Sequence, residues 1–315
     1  MSVLSALKSM VKRLPIIRKL VAERDKLRRD CGFMPPGHFY SPIPSLGDVR
    51  KDENRIFANA TRNIPGLDLS ESEQIKLLEI FSTLYASIPF QPHKTEGLRY
   101  YFENPAYSYS DAIFLHCMLR HLKPKRIIEI GSGYSSCAIL DTDELFLGHS
   151  IEATFIEPYP ELLLSLIKES DKSRIKIIPR RLQDVSLNEF AALEKNDILF
   201  VDSTHVSKID SDVNRIFFEI LPTLAPGVHI HFHDVFFPFE YPKQWVYEGR
   251  AWNEMYMLRT FLQYNSEFRI VLMNTFLQQF HEPLIRERMP LCLKNTSGSI
   301  WIRKDNAATA CPAGG

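Results

Sequence analysis

The chain has 315 residues, with 38 basic and 38 acidic side chains and 45% hydrophobic content; this is enough for one large α/β domain plus an extension, and zero formal net charge argues against a nucleic-acid partner. The cysteines Cys31, Cys117, Cys137, Cys292 and Cys311 are odd in number with no C-x-x-C, which points to a reducing, cytoplasmic location and no zinc knuckle. No apolar run approaches the roughly 20 residues needed to span a bilayer, and the N-terminus lacks the continuous apolar core of a signal peptide.

In chain order, residues 3–30 form a basic amphipathic segment. Leu4, Leu7, Val11 and Leu14 recur at helical spacing, and Ile17, Leu20 and Leu27 continue beyond Pro15, which should kink or split the helix. Two readings fit: peripheral contact with the inner membrane surface or a partner helix, and a solvated, partly packed helix. Residues 32–49, rich in proline, glycine and aromatics, read as an ordered loop carrying His38, Phe39 and Tyr40. Ser70-x-x-Glu73 predicts a capping box that opens a helix running to about Ile88. A second helix is expected over Asp111–Leu122, ending before Pro124.

From Lys125 onward, apolar strands alternate with helices. The expected strands are Arg126–Ile130, Ala153–Glu157, Ile175–Pro179, Ile198–Asp202 and Val228–His233, with Phe268–Met273 and Ser299–Arg303 closing the sheet. Helical stretches include Tyr134–Leu140, Pro160–Glu169 and Asp212–Leu224. This alternation implies a Rossmann-like, doubly wound and mostly parallel seven-stranded sheet with an N-terminal helical extension. The implied division is residues 1–50 as basic helix and Pro-rich loop, 51–124 as helical extension, 125–305 as the sheet domain and 306–315 as a disordered tail.

In such sheets ligands sit at the carboxyl ends of the strands. The first strand closes in Glu129-Ile-Gly131-Ser-Gly133, where glycines let the backbone turn sharply beside a ligand. The third glycine of a dinucleotide fingerprint is absent, because Ser136 stands there. Glu157 ends the second strand, one βα unit later, where an acid accepts ribose hydroxyls. Glu129 either supports the glycine loop or faces the cofactor, and Asp184 stands where an adenine contact would arise. The fourth strand ends at Asp202. The fifth reads HIHFHD, which puts His229, His231 and His233 on one face and Asp234 at its end. Asp202, His233 and Asp234 are candidate ligands for Mg²⁺, Mn²⁺ or Fe²⁺. His205, three residues past Asp202, is the candidate base, with an ordinary pKa near 6.5. Tyr107, Tyr109, Phe236, Phe237 and Trp245 are candidate walls of an acceptor pocket.

The stretches RIIEIGSGYSS, TFIEPYPE, DILFVDSTHV and GVHIHFHDVFFPFEYP resemble class I S-adenosylmethionine (SAM) methyltransferases of the Methyltransferase-24 type, over about residues 99–303. The resemblance implies SAM at Glu129, Gly131, Gly133, Glu157 and Asp184. It extends to metal-dependent sugar and catechol O-methyltransferases. In those, Asp202 would match the strand-four aspartate, His233 and Asp234 the pair after strand five, with histidine replacing the usual first acid, and His205 the base. The expected reaction is methyl transfer to a small-molecule or sugar hydroxyl. Two other readings remain open at this point: a non-haem metal oxygenase using two histidines and a carboxylate, and a non-catalytic SAM-binding scaffold. Both monomer and homo-oligomer are open.

Overall fold

A computed structural model describes residues 15–30, 32–58, 61–296 and 298–306. The expected first half of the N-terminal helix and the expected C-terminal tail fall on residues 1–14 and 307–315, outside the described residues. By contact density the chain divides into two compact units, residues 1–59 with 243–251 and residues 60–242 with 252–315. The helices between residues 60 and 124 thus belong with the sheet.

The smaller unit holds the helices Pro15–Asp30, Leu46–Lys51, Glu53–Ile56 and Lys243–Tyr247. Within this unit Tyr247 donates a hydrogen bond to Glu53, which also pairs with Lys243.

The larger unit is built on β1 (Arg126–Ile130), β2 (Glu152–Ile156), β3 (Lys176–Ile178), β4 (Ile198–Val201), β5 (His229–His233), β6 (Phe268–Met273) and β7 (Ser299–Lys304). Their order is β3-β2-β1-β4-β5-β7-β6, parallel except for β7, which runs antiparallel to both neighbours. β4 and β5 are buried along their whole length, as expected of strands covered on both faces. The order reverses between β1 and β4. That switch point opens a crevice at the carboxyl ends of the strands.

Helix Tyr109–Leu122 is buried from Tyr109 to Leu119 and stops at Lys123, whose backbone turns left-handed before Pro124. Helix Glu71–Tyr85 forms where expected, but the capping box does not. Ser70 adopts φ 51°, its side chain makes no cap bond, and its N–H is taken by Asp68. Glu73 instead pairs with Lys76. Gln74 pins this helix to the sheet, since its side-chain oxygen accepts from the Met273 N–H. Segment 212–224 is helical but not uniformly α. Asp212–Arg215 passes into a π-turn at Ile216–Ile220 before Leu221–Thr223, where Pro222 lacks the N–H of a regular helix.

Candidate functional site

The glycine turn after β1 is set by a close approach. The Gly131 N–H donates to Ile156 O, and the Asp202 N–H donates to Ile130 O. Gly131 has φ 79°, and a Cβ there would collide with the carbonyl oxygen of Asp202. Only glycine lets the chain leave β1 between β2 and β4 in this way. Helix Tyr134–Thr142 follows at once.

Glu129 lies behind the turn. It is fully buried and accepts hydrogen bonds from the hydroxyls of Ser135 and Ser136. Burial pushes its carboxyl up to about 8, against the lowering effect of the two serines. Of its two sequence readings, these contacts match support of the loop.

A cavity of about 410 Å³ opens at the switch point. Gly131, Glu157, Tyr159, Leu182, Gln183, Asp202 and Thr204 are among its lining residues. Glu157 accepts from the backbone N–H groups of Ser132 and Tyr159, which aims its carboxylate across the end of β2. The Ser132 hydroxyl nearby is buried without a partner. Asp184 is not on this lining. It forms a salt bridge with Arg181, and its neighbour Gln183 faces the cavity instead. Gly133 is also off the lining; an added Cβ would meet only Leu162 Cδ2, at 3.4 Å.

At the ends of β4 and β5, three side chains converge. Ligand atoms of Asp202, His205 and Asp234 all lie within 4.8 Å of one another. His205 Nε2 is 3.3 Å from Asp202 Oδ1 and 3.5 Å from Asp234 Oδ2. His205 and Asp234 have φ of 59° and 57°. Such left-handed backbone costs a non-glycine residue about 1–3 kcal/mol and persists where the surroundings over-determine it. Burial alone would depress the His205 imidazole, but Asp202 and Glu254 outweigh it and hold its pKa at about 10. Burial would raise Asp202; the adjacent His233 and His205 instead keep it below the usual carboxylate range.

His233 is outside this trio. Its Nε2 lies 3.6 Å from Asp234 Oδ1, its Nδ1 has no hydrogen-bond partner, and its ring packs against Tyr107. The trio therefore contains one histidine, and the two-histidine oxygenase set is not brought together in it. Of the aromatics expected around an acceptor, Tyr107, Tyr109, Phe236 and Phe237 are buried. Tyr109 stacks on Phe102, and Phe237 packs on Phe276 and Phe280. Trp245 belongs to the smaller unit.

Sequence reasoning missed Glu254. It opens helix Glu254–Leu262, is 2% exposed, and accepts from Ser203 Oγ while its other oxygen lies 2.8 Å from His205 Nδ1. An acid in a first helical turn is common for helix-dipole reasons, so nothing in the sequence set Glu254 apart. Trp252, missed as well, lays its ring 4.4 Å from that of His205.

A family model described as a methyltransferase domain, Methyltransferase-24, matches residues 128–235. This span runs from the middle of β1 through the residue after Asp234. An Archaeoglobus fulgidus protein, itself described only as uncharacterized, is 36% identical over 187 residues, covering 58% of this chain and 84% of its own. Similar solved structures include a Podospora anserina methyltransferase bound to S-adenosylhomocysteine (16% identity, 87% of this chain and 100% of that one, TM-score 0.41). Another is the O-methyltransferase TomG of Streptomyces achromogenes bound to SAM (14% identity, 82% and 96%, TM-score 0.42). The chain carries a methyltransferase domain of the Methyltransferase-24 type over residues 128–235.

Proposed function

We propose that this methyltransferase acts on a hydroxyl oxygen of a small molecule or sugar, with a divalent cation held by Asp202, His205 and Asp234. The observation that carries the reading is the convergence of these three ligand groups at strand ends bordering the cofactor cavity, whose lining Asp202 shares. Two carboxylates and one imidazole suit Mg²⁺, Mn²⁺ or Fe²⁺.

The switch-point cavity suits SAM in size and lining. Glu157 is in position to accept ribose hydroxyls, and Tyr159 and Leu182 offer a flat, apolar surface. The sulfonium is already activated, so the chain mainly has to align the acceptor oxygen with the methyl carbon. The C–O bond forms as the C–S bond breaks. A bound cation would supply Lewis-acid stabilisation of the negative charge on the acceptor oxygen. Asp202 belongs to both cavity and cation cluster, and so sets the distance between them.

We read His205 as a ligand in place of His233, because its Nε2 is the ring nitrogen that faces both Asp202 and Asp234. A cation would bind through the Nε2 lone pair, in exchange for the proton that Asp202 and Glu254 favour on the ring. With His205 bound to the cation, the acceptor's proton leaves to a carboxylate oxygen of the cluster or to water. His233, beside Asp234, offsets carboxylate charge.

The test is transfer of labelled methyl from SAM to a panel of hydroxylated acceptors, with chelator and after adding back Mn²⁺. Transfer to hydroxyls that stops in chelator and returns with Mn²⁺ is expected. Asp202→Ala and Asp234→Ala should lose both Mn²⁺ binding and turnover. Full activity in chelator removes the cation, and transfer to amines alone removes the hydroxyl.

For the N-terminal part we propose weak attachment to anionic membrane. Residues 1–30 carry nine basic against three acidic side chains. In the same unit Phe33, Phe39 and Tyr40 are exposed and in ring contact with one another. Among the described residues no helix is long and apolar enough to cross a membrane.

A further inference from the structure

We propose that Glu254 is the positioning residue of the cation cluster: it holds His205 by Nδ1, so that Nε2 faces Asp202 and Asp234. The proposal rests on the reading of His205 as a ligand.

The hydrogen bonds close a circuit. The His205 N–H donates to Ser203 Oγ at 3.1 Å. Ser203 Oγ donates to Glu254 Oε1 at 2.8 Å. Glu254 Oε2 meets His205 Nδ1 at 2.8 Å. Both carboxylate oxygens are thereby committed, and the nitrogen they leave free is Nε2, the one that lies near Asp202 and Asp234.

The backbone repeats the grip. The N–H groups of Asn253 and Glu254 both donate to His205 O, at 3.0 and 3.1 Å. Asn253 also brackets Ser207, accepting from its N–H and donating to its carbonyl. Trp252, Asn253 and Glu254 thus hold the ring, the carbonyl and Nδ1 of one residue whose backbone is left-handed.

A buried carboxylate is costly unless paired. Glu254 is buried against an imidazole and a serine hydroxyl, with no lysine or arginine among its hydrogen-bond partners. A helix-start acid serving only the helix dipole gains as much at the surface. An imidazole donating one N–H to a carboxylate is fixed in tautomer and ring orientation, and its other nitrogen becomes a stronger ligand. Loss of such a partner weakens metal binding by about 10–100-fold.

The experiment uses the full chain with Glu254→Gln, which preserves size, and Ser203→Ala, which removes the hydroxyl that links Oε1 to the His205 N–H. Free Mn²⁺ is followed by electron paramagnetic resonance during titration with Mn²⁺ alone. SAM affinity is measured by calorimetry as the control for folding. Glu254→Gln should weaken Mn²⁺ binding by about 10–100-fold and Ser203→Ala by less, with SAM affinity unchanged in Glu254→Gln. Equal Mn²⁺ affinity in wild type and Glu254→Gln overturns the proposal. If the wild type binds no Mn²⁺, the cation reading fails, and Glu254 is judged by proton NMR. The downfield Nδ1–H signal, assigned by its loss in His205→Asn, should disappear in Glu254→Gln; its persistence unshifted overturns the positioning role.

Discussion

Replacing Gly131 by alanine tests whether the switch point is built as described. The new Cβ would strike the Asp202 carbonyl oxygen, which is backbone and cannot rotate away. Alanine at φ 79° adds about 1–2 kcal/mol of left-handed strain. Overpacking a close contact adds about 1–3 kcal/mol. The sum is about 2–5 kcal/mol, or on the order of 10 °C in Tm for a unit of this size. SAM affinity should fall too, because relieving the clash moves β4 and with it Asp202. Gly133→Ala is the matched control: its Cβ meets only Leu162 Cδ2 at 3.4 Å, an ordinary contact. Thermal melts followed by circular dichroism, with calorimetric SAM titration, compare the two. A Gly131→Ala protein melting with the wild type, or a Gly133→Ala protein falling equally far, would refute the reasoning.

Glu157→Ala should weaken SAM about 10–100-fold in calorimetry, the worth of charged hydrogen bonds to ribose, while leaving Tm nearly unchanged. His116 is fully buried, and burial, aided by Arg120, pushes its imidazole down to about 3. Its unfolded value near 6.5 is higher, so the unfolded chain takes up a proton first; the stability it contributes is present above pH 6.5 and is lost as pH falls toward 3. Between pH 6.5 and 5 this amounts to about 2 kcal/mol. His116→Gln should remove that part of the slope in urea midpoints, and an unchanged slope would contradict it. Deleting residues 1–30 should abolish low-salt binding to anionic vesicles, at about 1 kcal/mol per well-placed basic residue, and spare SAM binding. Full-length protein that ignores such vesicles would end the membrane reading.

The sheet was legible because its signals are local. Short β-branched runs between helical stretches locate all seven strands, and the expected bounds of β1 and β6 coincide with those observed. The strand-end rule then pointed to Glu157 and Asp202, which both line the cavity. What stayed hidden depends on backbone direction and on distant partners. Asp234, left-handed in its backbone, places its carboxylate between two histidines, 3.5 Å from His205 Nε2 and 3.6 Å from His233 Nε2. Ser70 and Glu73 match the capping pattern, yet Asp68 takes the Ser70 N–H and the left-handed Ser70 forms no cap. Glu254 lies 49 residues beyond its partner His205, a separation at which no periodicity or motif carries information.

A crystal structure with S-adenosylhomocysteine and Mn²⁺, the metal located by its anomalous scattering, tests the central claim most directly. The account predicts the nucleoside in the switch-point cavity with its ribose on Glu157, and one manganese on Asp202, His205 and Asp234. Manganese bound elsewhere, or the three side chains unchanged at saturating metal with the nucleoside in place, would contradict it.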